Sequence, residues 1–420
     1  MSNPSVSRIR LPQVGLNWRS ENLAKNLFLK VLSRLRTGSL IIRDGQEVIT
    51  LGSDEPGPEE PRAEIIVNDQ RAWSRILLGG TLASGESYIR GEWSSPDLPE
   101  VIRLFSANLQ TMASMQRKRA WYVTLSMKLM HYANRNTREG SKRNISAHYD
   151  LGNDFFKLFL DDTMMYSSAL FSGHNWSLEE AAVAKLDEIC QQLELKESDH
   201  LVEIGTGWGG MAIYAARHYG CRVTTTTISQ EQYEYARAKV AELGLTDRIT
   251  VLCKDYRALE GQFDKLVSIE MIEAVGHEFY SEYFQRCSQL LKPDGKMVIQ
   301  AITMADQRYE QARDSVDFIK HFIFPGGCLP SLEVIAQNLS RHTDMQMVHL
   351  RDITEDYADT LASWRERFFA QLEAVKAQGF DEQFVRMWDF YLSYCEGGFR
   401  ERIISTVQLS FAKPGYRFTA

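Results

Sequence analysis

Apolar residues recur at helical spacing near the start of the chain. Leu23, Leu27, Val31 and Leu35 fall every fourth position, with Lys25, Lys30, Arg34 and Arg36 among them. This predicts an amphipathic helix over about 21–36, after a loose arm at 1–20. It reads as a helix packed on its own domain, with a membrane-surface helix as the alternative. Short apolar runs at 38–43, 47–51 and 63–67 read as strands, and the Gly-, Pro- and acid-rich stretch 52–62 as an exposed loop. The stretch 101–145 reads as helical. From about 178 onward helical and strand patterns alternate, the signature of a βαβ sheet. Ser177, with Glu180 three residues on, predicts the capped start of a helix reaching 195. Strands follow at 201–204, 221–226, 249–253, 263–269 and 296–301, with helices at 211–219 and 230–243.

Composition narrows the picture. The chain has 420 residues, 44% hydrophobic and 25% charged, which fits a soluble globular protein of two or three domains. No apolar run reaches the roughly 18–20 residues that span a bilayer, and no apolar segment near Met1 reads as a signal peptide. Six cysteines are scattered, the nearest pair being Cys190 and Cys221. This spacing suits neither zinc nor an iron–sulfur cluster, so no metal is expected, and isolated thiols suit a reducing cytoplasm. The net charge of −7 speaks against nucleic acid as a partner. It hides a reversal between 101 and 145, where Arg103, Arg117, Lys118, Arg119, Lys128, Arg135, Arg138, Lys142 and Arg143 face Glu139 alone, amid Trp121, Tyr122, Leu125 and Met130. Such a mixture suits an anionic membrane surface, or a solvated connector between domains.

The strongest local signal is Leu201-Val-Glu203-Ile-Gly205-Thr-Gly207-Trp-Gly209-Gly210, an apolar strand running through an acid into glycines and then a helix. Glycines allow a tight turn and close backbone approach to a ligand. Two details favour S-adenosylmethionine over a dinucleotide. Glu203 precedes the glycines, where it can meet an ammonium group. The second strand ends in threonines up to Thr227, not in the acid that dinucleotide sites place on a ribose. Asp255, in Lys254-Asp-Tyr256 after the third strand, is placed to accept from an adenine amino group.

Further motifs follow in order: Asn144-Ile-Ser-Ala-His148-Tyr149-Asp150, Met165-Tyr166-Ser167-Ser168-Ala, Thr227-Ile-Ser-Gln-Glu-Gln232, Ser268-Ile-Glu-Met-Ile-Glu273-Ala-Val-Gly-His277, Phe324-Pro-Gly-Gly-Cys-Leu-Pro330 and Cys395-Glu-Gly-Gly-Phe-Arg400. With them, the chain from Asn144 to about Gln408 resembles the cyclopropane-fatty-acyl-phospholipid synthase family, including mycolic acid cyclopropane synthases, and is closest in motif form to plant-type members. Gly85-Glu-Ser-Tyr88-Ile-Arg-Gly91-Glu-Trp93 resembles that family's small N-terminal domain. The resemblance implies an α/β architecture: a Rossmann-like class I S-adenosylmethionine-dependent methyltransferase domain (146–420), a basic connector (101–145) and a small mixed α/β domain (1–100) for lipid docking or dimerisation.

The same resemblance implies an activity. A methylene from S-adenosylmethionine is added across a cis double bond of a phospholipid acyl chain, and bound bicarbonate deprotonates the carbocation. The implied cofactor residues are Tyr166, Ser167, Gly205, Gly207, Thr227, Ile228, Gln232, Asp255, Tyr256, Arg257 and Ile269, to which the glycine-loop reading adds Glu203 and Gly209. The implied base site is Ser168, Glu273, Gln300, Ile302 and Tyr357. Many relatives carry Cys at the place of Ser168 and His at that of Gln300. Ser serves if it contributes its backbone N–H, whereas a glutamine amide donates a hydrogen bond but takes up no proton. Tyr166, Phe171 and Tyr280 are candidates to stabilise the cation, and the Phe324 segment is either a turn or a flap. The expected location is cytoplasmic, peripheral to the inner membrane surface, with a homodimer through the small domain. The alternatives are a methyl-branched or methylene product on the same lipid, a small-molecule O- or N-methyltransferase, and a non-enzymatic binding module.

Overall fold

The computed structural model describes residues 18–109 and 151–417. Residues 1–17 of the expected arm, His148 and all the expected cations of 101–145 except Arg103 lie outside the described residues, while 18–20 of that arm already belong to a helix. Strands β1 (Ser39–Asp44), β2 (Glu47–Gly52), β3 (Arg62–Val67) and β4 (Trp93–Ser94) form a small sheet in the order β2-β1-β3-β4. Helices α1 (Trp18–Leu32), α2 (Arg71–Ile89) and α3 (Leu98–Ala107) accompany it, and α3 spans the division expected at residue 100. The buried face of α1 is Ala24, Phe28 and Leu32, not the predicted stripe: Leu23 is 60% exposed and Leu27 47%. The stripe is shifted because Phe28, beside Trp73 of α2, supplies the large anchor that the fourfold leucine count overlooked. Within α2, Gly80 (φ 62°) breaks the helical path.

The larger sheet has seven strands: β5 (His200–Ile204), β6 (Arg222–Thr227), β7 (Ile249–Cys253), β8 (Phe263–Ile269), β9 (Leu291–Met304), β10 (Gln346–Asp352) and β11 (Ile404–Ala412). Their order is β10-β11-β9-β8-β5-β6-β7. Strands β5 to β9 run parallel, and β11 pairs antiparallel with β9 and β10. The order reverses between β5 and β8, which opens a crevice at the strands' carboxyl ends. Helices α4 (Leu178–Leu193), α5 (Gly210–His218), α6 (Gln230–Glu242), α7 (Tyr280–Leu290), α8 (Leu332–His342), α9 (Thr354–Ala370) and α10 (Glu382–Arg400) complete the architecture. The predicted capping box is present, with Ser177 and Glu180 satisfying each other's backbone N–H groups at the start of α4.

Helix α10 joins the two layers. Its Asp389 accepts from Tyr88 Oη (2.5 Å) and from Arg365 (2.7 Å), and its Arg386 donates to the Trp93 carbonyl (2.7 Å). Glycine allows the contact at two points: a Cβ on Gly85 would lie 2.4 Å from Phe318, and one on Gly397 2.7 Å from Ile102. One apolar core accordingly runs from Phe28 and Trp73 through Tyr88 and Phe390 to Phe155, Trp364 and Trp388. Arg103 is spent inside this seam on Glu100 and Glu401 and is no docking cation.

Candidate active site

The loops after β5, β6, β7 and β8 meet at the carboxyl edge of the sheet. Gly205, Gly207 and Gly209 all have positive φ, so the chain after β5 bends sharply into α5. A cavity of about 610 Å³ starts there and continues between the sheet and the small domain, a size typical of small-ligand sites. Its sheet end is lined by Gly205, Gly207, Thr227, Ile228, Gln232, Asp255, Tyr256, Arg257 and Ile269, with Tyr166 and Ser167 opposite. Its other end is apolar and lies in the small domain, between Phe28, Ile42, Ile65, Trp73 and Ile76.

Two predicted cofactor residues stand apart from that lining. Gly209 turns the chain from behind the loop. The carboxylate of Glu203 is buried beneath it, where it accepts from Thr225 Oγ1 at 2.6 Å. Burial pushes the Glu203 pKa up to about 8, against the pull of Thr225 and Lys185. The folded chain therefore holds a proton that the unfolded chain releases near 4.5. That stabilisation is full below the unfolded value and is lost as pH rises through about 8. Glu203→Gln keeps an acceptor for Thr225, and it is expected to flatten the fall in melting temperature between about pH 5 and pH 8. Thermal denaturation across that range checks this, and an unchanged slope would assign the fall elsewhere.

Three of the five predicted base-site residues, Ser168, Gln300 and Tyr357, converge on a carboxylate that the sequence reading left unassigned. Glu270, the first residue after β8, accepts from the Ser168 backbone N–H (2.9 Å), from Gln300 Nε2 (2.8 Å) and from Tyr357 Oη (2.8 Å). Ser168 thus contributes its N–H, while its hydroxyl donates to the Ala169 carbonyl. The amide of Gln300 has a defined direction, because its Oε1 accepts from Gln408 Nε2 (3.0 Å), whose Oε1 accepts in turn from Gln192 (2.7 Å). The register of β9 on β11 makes this possible by placing Gln300 opposite Gln408. Tyr357, one turn into α9, is stacked on Phe399 at 4.5 Å. Burial raises the pKa of both Glu270 and Tyr357. The signal for Glu270 was present in Ser-Ile-Glu-Met-Ile-Glu, which carries two acids three residues apart just beyond a buried strand.

Glu273 sits in a short helical turn (Ile272–Ala274), where its Oε1 accepts from the Ile302 N–H at 2.6 Å. Its Oε2 is buried and has no hydrogen-bond partner among the described residues. Burial first, and the charge of Glu270 second, push its pKa up to about 8. Glu270, Glu273, Ile302 and Tyr357 all line the cavity. Lys185 of α4 is fully buried and donates to Ser167 Oγ at 2.7 Å. Burial lowers its pKa to about 8, although the charges of Glu270, Asp161 and Glu203 act to raise it.

Of the proposed cation-facing aromatics, Tyr166 lines the cavity, with its ring on Trp364 and its hydroxyl 2.8 Å from that of Tyr391. Phe171 and Tyr280 do not. Tyr280 is core, its hydroxyl held by the Cys328 carbonyl. Phe324, Tyr391 and Phe399 take their place in the wall. The Phe324 segment closes a turn, Gly327 N–H to the Phe324 carbonyl, and is tied to the Glu273 carbonyl through Cys328 N–H. Cys395, which opens the last of the sequence motifs, also lines the cavity.

The bicarbonate implied by the sequence resemblance does not fit this arrangement. The donors of Ser168, Gln300 and Tyr357 already serve Glu270, and the N–H of Ile302 serves Glu273. A further anion would sit beside two buried carboxylates, whose repulsion the single ammonium of Lys185 does not offset.

A seven-stranded, mostly parallel sheet with a glycine loop after its first strand defines a class I S-adenosylmethionine-dependent methyltransferase. The family model described as Mycolic acid cyclopropane synthetase matches residues 136–409. The chain is 35% identical over 98% of its length, and 95% of the relative's, to the tuberculostearic acid methyltransferase UfaA1 of Mycobacterium tuberculosis. It is 36% identical over 84% of its length, and 88% of the relative's, to the cyclopropane-fatty-acyl-phospholipid synthase of Escherichia coli. Among solved structures, the mycolic acid cyclopropane synthase CmaA1 complexed with SAH and CTAB matches with a TM-score of 0.61 at 30% identity, over 65% of this chain and 98% of that one. The chain belongs to the cyclopropane synthase family and is an S-adenosylmethionine-dependent C-methyltransferase-type enzyme.

Proposed function

We propose that this enzyme alkylates the cis double bond of a phospholipid acyl chain and closes a cyclopropane ring. The carrying observation is the cavity, whose lining joins the glycine loop, the paired carboxylates and the apolar residues of the small domain. S-adenosylmethionine, when bound, supplies an electrophilic methyl group at the sheet end. Tyr166, Ser167, Thr227, Gln232 and Asp255 hold it there. An isolated alkene is a poor nucleophile, so the cavity's work is to fix it at near-attack distance and exclude water. The rings of Tyr166, Phe324, Tyr391 and Phe399 face the developing cation. The apolar residues Leu23 and Leu27 of α1 and Leu78 of α2 are exposed, and Leu78 also borders the cavity. These exposed residues dock on the phospholipid surface, and Leu78 marks where the acyl chain enters.

A second reading keeps the alkylation but ends in a methyl or methylene branch. It is favoured by the similarity to a tuberculostearic acid methyltransferase over nearly the whole chain. One experiment separates them. The chain is expressed in a bacterium lacking its own cyclopropane synthase, and phospholipid fatty acids are analysed by gas chromatography–mass spectrometry, with Glu273→Gln as control. One added CH2 on monounsaturated chains, absent in the control, is expected. Loss of reactivity toward disulfide addition identifies the ring, whereas retained reactivity identifies a methyl-branched alkene or a methylene product. No mass shift with folded protein present overturns the lipid reading.

A further inference from the structure

We propose that Glu270 is this enzyme's built-in general base and takes the place of the bicarbonate ion that the resemblance implies. The inference rests on the alkylation reading above and goes beyond it, by assigning the proton acceptor to the chain itself. Three observations carry it. Three of the groups expected to cradle the ion, the N–H of Ser168, the amide of Gln300 and the hydroxyl of Tyr357, all donate to Glu270. A side-chain carboxylate and a bicarbonate share the planar O–C–O unit, so one donor set fits either. The relay through Gln192 and Gln408 leaves Gln300 only its donor end for Glu270. The backbone of Glu270 has φ 47°, a left-handed conformation that few side chains adopt and glycine adopts freely. Such a conformation is kept when the surroundings demand the side chain at that place.

A carboxylate offers about four lone-pair directions. Two on Oε1 are taken by Ser168 and Gln300, and one on Oε2 by Tyr357. The fourth is left for a proton, and Glu270 lines the cavity. The alkene's π pair forms a bond to the sulfonium methyl while the C–S bond breaks and its pair goes to sulfur. The other alkene carbon becomes the cation. Glu270 then takes a proton from the new methyl, and the released C–H pair forms the last ring bond. Glu270 ends as the neutral acid and returns its proton to water when the products leave.

Three measurements test this. The first follows turnover of the full chain with S-adenosylmethionine and vesicles of a cis-monounsaturated phospholipid, in carbon dioxide-free buffer with and without added bicarbonate. The wild-type rate is expected to be the same in both. In the second, Glu270→Gly, which suits the left-handed backbone and empties the cradle, is expected to lose about 10²- to 10⁴-fold in rate without bicarbonate and to recover part of it with bicarbonate. The third needs no turnover: 13C-bicarbonate NMR is expected to show no binding to the wild type and binding to Glu270→Gly. A wild-type rate that collapses without bicarbonate and returns with it overturns the proposal, as does bicarbonate binding to the wild type. If the wild type makes no product in either buffer, the alkylation reading fails, and the NMR comparison still decides whether Glu270 fills the anion site. If the variant does not fold, both wild-type measurements still decide it.

Discussion

Glu273→Gln is expected to lower kcat by about 10²- to 10³-fold while leaving the melting temperature and the affinity for S-adenosylmethionine nearly unchanged. The substitution is close to isosteric. Its Oε1 still accepts the Ile302 N–H, so the turn that carries it and the link from Cys328 to the Glu273 carbonyl are kept. What is lost is the oxygen Oε2, which among the described residues is the one buried carboxyl oxygen without a hydrogen-bond partner. A partner-free oxygen with a pKa pushed up to about 8 costs the fold and offers negative charge to a cation forming in the cavity. With this pKa, the fraction of ionised Glu273 rises as pH passes through about 8. A wild-type kcat that climbs over that interval and flattens in Glu273→Gln would support the electrostatic role. An unchanged kcat in the variant would reduce Glu273 to a structural acceptor for Ile302.

Lys185→Met is expected to have the largest effect on stability, a loss of about 3–5 kcal/mol near neutral pH. The ammonium is completely buried, and its charge acts on three carboxylates, those of Glu270, Asp161 and Glu203. Methionine fills much of the same volume but leaves Glu270 and Asp161 without their cation, Glu203 being protonated below about pH 8, and a buried charge stripped of its partner is costly. The sign of the pH dependence follows. The folded pKa values of all three acids are raised, so lowering the pH protonates them and relieves the defect. The penalty is therefore expected to shrink from pH 8 toward pH 5. Chemical denaturation at both ends of that range measures it. A loss below about 1 kcal/mol at both would mean that the carboxylates are already neutral in the wild type.

Much of the catalytic scaffold is legible in the chain itself. The glycine loop, the capping box at Ser177 and the first four strands of the parallel sheet depend on neighbours within a few residues, so their physics is local. Strands β10 and β11 lack such a signal: β10 is largely exposed and β11 buried from Thr406 onward, so neither alternates in a way that marks its place. The buried face of α1 was misjudged for a related reason. Periodicity finds an apolar stripe, but the partner decides which residues are covered, and here Trp73 selects Phe28.

The site divides along the same line. The residue types for methyl-donor binding could be read in order along the sequence, because each strand of such a sheet delivers its own loop to the same edge. The base could not. Glu270 and Glu273 lie in one hexapeptide, and nothing local tells them apart. The distinction comes from contacts 30 to 102 residues away, with Gln300, Tyr357 and Ser168. The cavity's apolar end depends on a still longer closure, between Tyr88 and Asp389, 301 residues apart. By itself the sequence determined the fold class, the methyl donor and the set of acids, since these follow from short patterns and residue types. Only the tertiary structure decided which acid receives the donors and where an alkyl chain can lie, because hydrogen-bond partners and cavity walls are set by packing distant segments together.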